Sequence, residues 1–256
     1  ELKCNLVSVK NKKINHDFLK SIIKDLGMME DSILETYYKK RLRWKPPNKN
    51  YDSQYEKDID LLNFLPRINN NLERDVRQGE DGWRDRYYQK IFSFDTTTRY
   101  EIDKLCHNYF EGLFWTFNYY NFECISWEWS YLYHHSPSFH DLYLYMDKFL
   151  ADVNNIEIKN NMKIKPFEQL LIVLPPDSKE LLPYEYSKLM VDFNSDIIEY
   201  YPEIYNIETF NKRYFWECAP ILPYISVKKV RDTCKDLKIS KEEKYRNTFR
   251  KLIEIK

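Results

Sequence analysis

The feature that most constrains this chain is an aromatic-rich stretch from residue 107 to 142, in which the spacing of the rings changes halfway. Between residues 98 and 120, apolar side chains recur three and four positions apart, as in a helix with one buried face. Thr98 followed by Glu101 predicts a capping box at the start of that helix. After Asn121 the period changes: from residue 127 to 133 every second residue is aromatic, and in an extended backbone such residues project from one side. This second part is a ladder made of Trp127, Trp129, Tyr131 and Tyr133.

A one-sided ladder of Trp and Tyr side chains has two physical interpretations. The rings can belong to the core, because large apolar side chains are usually buried. They can also form a stacking platform for nucleobases, where each ring–base contact contributes about 1–3 kcal/mol. Either way we expect most of the rings to pack inward, and the spacing alone leaves both interpretations open.

The N-terminal part of the chain is predicted to be helical, and a polar stretch follows it. Residues 14–43 have an apolar stripe that Gly27 interrupts, which indicates a helical hairpin or a broken helix with Gly27 as the break or C-cap. Pro46 and Pro47 then end the helix. We predict three parts: a helical segment over 1–44, a linker over 45–78 and a helical domain over 79–256.

A turn followed by a helix is predicted at the start of this last part. Gly79 and Gly82 favour a turn. Four rings of the next helix then share one face: Trp83, Tyr87, Tyr88 and Phe92. Arg84 and Arg86 point elsewhere. We expect them to be solvated or paired with Asp81 and Asp85, and phosphate contact is the alternative.

The acidic and histidine residues after the ladder do not predict a metal site. Asp141, Asp147, Asp152 and Glu157 are too widely spaced for the converging carboxylates of a two-metal nuclease, so we expect ordinary surface charge. His134, His135 and His140 lack a suitably placed third type of ligand. A hydrogen-bonded or RNA-facing role fits these histidines better than metal binding. We therefore predict neither a catalytic residue nor a bound metal or cofactor in this chain.

Composition sets further limits. The 256 residues carry a formal net charge of zero, so nucleic-acid binding would depend on local basic patches. The cysteines at 4, 106, 124, 218 and 234 include no CxxC pair, which indicates a reducing compartment. There is no run of about 20 apolar residues and no signal-peptide core. We expect an intracellular, soluble protein without a membrane partner, and the missing initiating Met suggests that the chain starts inside a longer product.

Several long motifs resemble the second conserved region of the Xrn-type 5′→3′ exoribonucleases. They are GWRDRYYQKIF at 82–92, YFEGLFWTFNYYN at 109–121, SWEWSYLYHHSPSFHDL at 126–142, KPFEQLLIVLPPDSKELLP at 165–183 and IIEYYPEIYNIETFNKRYFWECAPILPYI at 197–225. Upstream, LGMMEDSI at 26–33 is similar to the family's "LGxxEDxI". The motifs appear in the family's order and span roughly residues 14–235.

The resemblance implies a mainly α, irregular helical domain with a few short strands or extended segments. The Mg²⁺-binding carboxylates and the phosphate pocket of such enzymes belong to a first conserved region, which this chain does not contain. In the family an aromatic residue of the SWxW segment stacks on the terminal base, and the matching positions are Trp127 and Trp129. The family's "YHYAP" matches residues 133–137, with His135 in place of the second aromatic residue.

Two functional hypotheses follow. In the first, the chain is the non-catalytic helical half of an exoribonuclease that acts on 5′-monophosphorylated single-stranded RNA in RNA degradation, including mRNA decay. It would brace a Mg²⁺-dependent nuclease core, in the same polypeptide or a separate chain, and shape the RNA entrance. Alternatively it is a stand-alone RNA-binding or protein-interaction scaffold without nuclease activity. The RNA-binding candidates are Trp127, Trp129, Tyr131, Tyr133 and His134, with Arg84 and Arg86 for phosphate. We expect the cytoplasm rather than the nucleus.

Overall fold

The computed structural model describes residues 5–8, 12–152 and 163–249, and it confirms a mainly α fold. The helices are α1 (His16–Arg43), α2 (Gln54–Asn63), α3 (Leu65–Ile68), α4 (Asn71–Val76), α5 (Trp83–Phe92), α6 (Tyr100–Asn121), α7 (Phe139–Asp152), α8 (Pro166–Val173), α9 (Tyr184–Ser187), α10 (Val227–Cys234) and α11 (Lys241–Arg246). Two short strands, β1 (Asn206–Glu208) and β2 (Ala219–Ile221), form a two-stranded sheet.

The helix α1 is continuous over 28 residues, so the predicted hairpin or break at Gly27 is wrong. The glycine has a packing role instead. A Cβ built on Gly27 would lie 3.2 Å from the backbone N and Cα of His140, at the start of α7. Gly27 therefore lets α7 approach α1 closely. The apolar face of α7 packs against α1 and stabilises α1 where the glycine interrupts its apolar stripe.

The chain divides into two compact units. Unit 1 comprises 1–123, 131–157 and 207–219, and unit 2 comprises 124–130, 158–206 and 220–256. The core of unit 1 is formed where α1, α5, α6 and α7 meet, and it includes Val76, Tyr88, Leu105, Phe110 and Met146. All four rings that were predicted to share a face of α5 pack in or against this core.

The stretch 45–78, which we predicted to be a linker, contains α2, α3 and α4. A buried ion pair fixes its C-terminal part, because Arg41 Nη2 lies 2.5 Å from Glu73 Oε1 and both side chains are only 3% exposed. Arg41 Nη1 donates a hydrogen bond to Lys212 O at 2.6 Å. Glu73 also accepts the N–H of Asn211 at 2.8 Å. Paired and hydrogen-bonded charges of this kind are tolerated in a core.

The predicted aromatic helix is α6, which begins two residues later than the sequence suggests. The capping box at Thr98 is wrong: the N-cap is Arg99, and no side chain caps it. From residue 131 to 135 the chain is irregular, with a bend at 134–135, and burial alternates there. Over 127–129, the first half of the predicted ladder, burial does not alternate, because all three residues are half-buried. Tyr131, Tyr133 and His135 are half-buried, whereas Leu132 and His134 are exposed.

Unit 2 has a separate core. Phe167 and Leu171 of α8 pack with Val230 and Cys234 of α10. Tyr186 and Met190, together with Ile197 and Tyr200, complete the same cluster. The helix α8 ends at Val173, before Pro175 and Pro176.

Candidate nucleic-acid interface

The segment Ser126–Trp129 is held in a defined conformation within unit 2. Ser126 is 4% exposed, and its Oγ accepts the N–H groups of Glu128 at 3.3 Å and of Trp129 at 3.0 Å. A serine hydroxyl that accepts hydrogen bonds from the amides two and three residues later stabilises a local turn. Glu128 Oε1 accepts a hydrogen bond from Arg231 Nη1 of α10 at 2.7 Å. Both tryptophans of the segment, Trp127 and Trp129, are half-buried.

The structure separates the predicted ladder. Trp127 and Trp129 belong to unit 2, whereas Tyr131 and Tyr133 belong to unit 1. Within unit 1 the two tyrosine rings lie 5.7 Å apart and pack against the core. Burial raises the pKa of the Tyr131 hydroxyl, which donates to His135 O at 2.6 Å. The neighbouring His134 is exposed.

Other rings surround Tyr133. Its ring centroid lies 6.1 Å from that of Phe92 and 6.0 Å from that of Phe94, both edge-on. Such edge-to-face contacts stabilise aromatic clusters. Tyr131 and Tyr133 thus have a packing role in unit 1, and base stacking by them remains a prediction.

The arginines of α5 contact protein groups. Arg84 Nη2 lies 2.8 Å from Glu30 Oε2 and 2.8 Å from Asp31 Oδ1, rather than pairing with Asp81 or Asp85. The pKa of Arg84 is raised: burial works against the charge, but the hydrogen bonds to Glu30 and Asp31 outweigh burial.

Arg86 is held by backbone carbonyls. Its Nε donates to Val76 O at 2.9 Å and its Nη1 donates to Asp81 O at 2.8 Å. Phosphate contact by either arginine remains a prediction, and it would have to compete with these hydrogen bonds.

Glu30 is a structural residue that the composition and spacing arguments missed. It is 7% exposed, binds Arg84, and accepts the N–H of Phe139 at 2.8 Å and of His140 at 3.4 Å. Its carboxylate therefore lies at the N-terminus of α7, where negative charge is favourable. The signal was present in the "LGxxEDxI" similarity, because Glu30 and Asp31 are its two acidic residues.

The expectation that Asp141 is surface charge is wrong. Asp141 is 2% exposed, and it accepts hydrogen bonds from Ser138 Oγ at 2.6 Å, Tyr88 Oη at 2.7 Å and Arg99 Nη1 at 2.6 Å. Burial would raise the pKa of this carboxyl, but the three hydrogen bonds outweigh burial and hold the pKa below 3.8. The partners come from α5, the N-cap of α6 and the residue before α7, so Asp141 joins elements that are distant in sequence.

The remaining acids differ from one another. Asp147 is exposed and pairs with Lys20 at 2.5 Å. The side chain of Asp152 and the whole of Glu157 lie outside the described residues. A further acid, Glu208, pairs with His135 Nε2 at 2.8 Å within unit 1. Burial would raise the pKa of Glu208, but His135, the N–H of Phe210 and the charge of Lys212 together outweigh burial and lower that pKa.

Two searches covered only the residues that the structure describes. Over 5–8, 12–152 and 163–249 there is no group of three or more His, Cys, Asp or Glu side chains that could hold a metal ion. Within the same ranges, no helix is both long enough and apolar enough to cross a membrane.

Comparison with known proteins identifies the helical part of the chain. Residues 67–253 match the family model described as the Xrn1 helical domain. A chicken (Gallus gallus) protein named 5′-3′ exoribonuclease 2 is 34% identical over 179 residues, which cover 69% of this chain and 18% of that protein. The Schizosaccharomyces pombe protein of the same name is 36% identical over 174 residues, or 67% of this chain and 17% of that protein.

A third relative is the S. pombe protein named 5′-3′ exoribonuclease 1. It is 34% identical over 195 residues, which cover 75% of this chain and 14% of that protein. The chain thus spans less than a fifth of the length of the curated relatives it matches.

Proposed function

Because this chain belongs to the Xrn1 helical domain family, we propose that it is the non-catalytic helical part of a 5′→3′ exoribonuclease that degrades single-stranded RNA. The names of the relatives support the reaction class. In this proposal a nuclease core, in the same polypeptide or a separate chain, contributes the Mg²⁺-binding carboxylates and takes a 5′-monophosphorylated end. Mg²⁺ bound in that core would stabilise the leaving oxygen while water attacks the first phosphodiester.

The role of this chain is to brace the core and position the RNA. Fixing the position of a reacting group lowers a barrier without any contact with the reacting atoms. The observation that carries the proposal is the fixed geometry of Ser126–Trp129. A serine turn and an ion pair to α10 hold the two tryptophans in place before any ligand binds. Rings that are ordered in advance lose less conformational entropy on stacking.

Free thiols support a reducing, intracellular location. Cys106, Cys124, Cys218 and Cys234 are not paired in disulfides. A role in cytoplasmic mRNA decay is part of the same proposal.

The test is the binding of single-stranded RNA by Trp127→Ala and Trp129→Ala variants. Fluorescence anisotropy with a labelled oligouridylate measures affinity, and urea unfolding of the same samples measures stability. We expect one variant to lose affinity by about 5- to 150-fold, the equivalent of about 1–3 kcal/mol for one stacked base. We expect its unfolding midpoint to change less. If both variants lose stability and affinity in proportion, the tryptophans are core residues and the stacking role is wrong.

Intact mass separates this proposal from the stand-alone scaffold. If the protein isolated from its natural source has a mass well above 31.5 kDa, attachment to a nuclease core is supported. If its mass matches 31.5 kDa, a separate module is favoured, and a partner that brings the carboxylates would then be sought. In either case we expect the isolated chain to leave 5′-phosphorylated RNA intact in the presence of Mg²⁺.

A further inference from the structure

Unit 2 contains a groove whose lining is unusually basic for a chain with no net charge. The groove has a volume of about 570 Å³ and is lined by Lys163, Lys165, Glu168, Arg231, Asp232, Lys235 and Phe249. Four cations and two carboxylates line the groove. Because Glu128 pairs with Arg231, the local positive excess comes from the three lysines. A chain of zero net charge does not attract polyanions through its overall electrostatic potential. Attraction therefore depends on where the fold clusters basic side chains.

The fold brings the four cations together from two stretches of sequence. Lys163 and Lys165 immediately precede α8, Arg231 lies on α10, and Lys235 follows α10. The two helices pack through the core of unit 2, where Phe167 and Leu171 contact Val230 and Cys234. The positions of the cations at the rim are therefore fixed by buried apolar contacts.

The three lysines remain available to a ligand. Lys163, Lys165 and Lys235 are exposed. Among the described residues, none of their ammonium groups has a carboxylate within 4 Å. By contrast Glu168 is 3% exposed, and it already accepts the N–H of Lys165 at 3.0 Å. Only Asp232 adds an exposed negative charge to the groove.

The groove also has an aromatic wall and a link to the tryptophan segment. The ring of Phe249 is 56% exposed. Arg231, which lines the groove, donates to Glu128 between Trp127 and Trp129 at 2.7 Å. A basic groove with an exposed ring beside it is the arrangement that single-strand binders use, because cations follow the phosphates and rings stack on bases.

We propose that this groove binds the phosphodiester backbone of single-stranded RNA and extends the RNA-contacting surface of unit 2 beyond the tryptophan segment. The contacts are to phosphate, so they are independent of base sequence. The inference rests on the proposed function for the identity of the ligand, and its test is separate from that of the tryptophans. Stacking and phosphate contact differ in their salt dependence, because only phosphate contact releases counterions.

The test measures the affinity of a fluorescein-labelled 12-nucleotide oligouridylate between 50 and 200 mM KCl. The groove variant is Lys163→Gln/Lys165→Gln/Lys235→Gln. The matched control removes three exposed lysines of the same unit that do not line the groove, as Lys179→Gln/Lys188→Gln/Lys244→Gln. The two variants have the same net charge, and urea unfolding checks that each is as stable as the wild-type chain. If the groove triple variant unfolds more easily, the single variant Lys235→Gln takes its place.

Each phosphate contact contributes about 0.7 to the slope of log K against log salt for a single strand, so three contacts contribute about 2. We expect the groove variant to lose that slope and to bind on the order of 100-fold more weakly at 0.1 M salt. Lys235→Gln alone should lose about 0.7 of slope, and the control variant should retain most of the wild-type slope.

An unchanged slope and affinity in the groove variant would overturn the inference. An equal loss in the control variant would also overturn it, because the effect would then be one of net charge. If the groove variant loses its slope while Trp127→Ala and Trp129→Ala bind normally, the groove is supported and the stacking role fails. If only the tryptophan variants lose affinity, the reverse holds.

Discussion

Arg231 Nη1 donates a hydrogen bond to Glu128 Oε1 at 2.7 Å and thereby connects α10 to the turn that carries two tryptophans. The two side chains are 20% and 30% exposed, so the ion pair is neither fully solvated nor fully buried. Its contribution to stability is expected to be small, about 1 kcal/mol or less. Its effect on the position of Trp127 and Trp129 is expected to be larger, because Glu128 lies between them.

We predict that Glu128→Ala weakens RNA binding more than it destabilises unit 2. Removing the carboxylate takes away this tie between α10 and the turn that carries the tryptophans. The urea unfolding free energy should fall by about 1 kcal/mol or less, while affinity for a labelled oligouridylate falls severalfold. Because the substitution also removes a negative charge near a basic groove, unspecific attraction alone would increase affinity. An increase in affinity would therefore contradict the positioning role.

His134 and Tyr133 allow packing and RNA contact to be separated in unit 1. We predict that Tyr133→Leu lowers the unfolding free energy by about 1–2 kcal/mol, because its ring contacts Phe92 and Phe94 edge-on. His134→Ala should change stability by less than about 0.5 kcal/mol, since His134 is exposed. A loss of RNA affinity in His134→Ala without a change in unfolding midpoint would support its role as a contact. Unchanged affinity would remove it from the candidates.

Gly79 is held against the backbone of α1, and this close approach predicts a large effect of adding one carbon. A Cβ there would lie 2.3 Å from Glu35 N and 2.5 Å from Asp31 O. Gly79 also has a φ of +84°, which favours glycine. Since neither backbone atom can move independently, we expect Gly79→Ala to cost about 3 kcal/mol or more, from overpacking and left-handed strain together.

Gly82→Ala is the matched control for Gly79→Ala. Gly82 has a similar φ of +69°, but a Cβ there would meet only the flexible end of Arg86, at 3.2 Å. Strain alone should cost about 1–2 kcal/mol. Urea unfolding of the two variants measures the difference, and equal losses would show that α1 moves away from the turn without much cost.

Patterns within one element were readable from the sequence, whereas contacts between distant elements were not. The period of the apolar residues gave α6 to within two residues, and the ring spacing gave the buried face of α5. Burial alternates over 131–133, as predicted, whereas it does not alternate over 127–129. These features depend on local geometry, which side-chain spacing encodes directly.

The misses at Gly27, Asp141 and Arg84 depend on tertiary contacts. Gly27 weakens a helix locally, yet α1 continues because α7 packs against it at that point. Asp141 was expected to be surface charge, but two of its three hydrogen-bond donors, Arg99 and Tyr88, lie 42 and 53 residues away in sequence. Glu30, one of the two acidic partners of Arg84, is likewise 54 residues away in sequence. For the candidate site, family resemblance located the tryptophan segment, but only the fold shows the turn and ion pair that hold it.

Asp141 predicts a specific pH dependence of stability. Its pKa in the folded chain lies below the ordinary value of 3.8, because hydrogen bonds from Ser138, Tyr88 and Arg99 outweigh burial. The unfolded chain therefore binds a proton more readily than the folded chain in acid. The stabilisation from Asp141 should be present above pH 3.8 and should be lost as the pH falls through the lower, folded pKa.

Asp141→Asn removes this titration while keeping the shape of the side chain. At pH 7 we expect the free energy of unfolding to fall by about 2 kcal/mol, because hydrogen bonds to a charged acceptor contribute more than neutral ones. The loss is limited because Arg99 is half-exposed and remains hydrated. Urea unfolding from pH 7 down to pH 3 should show the variant losing less stability in acid than the wild-type chain. Parallel curves would show that other carboxylates control acid stability. Glu208 is the next to test, since its pKa is also lowered: burial opposes this, but His135, the N–H of Phe210 and the charge of Lys212 together outweigh it.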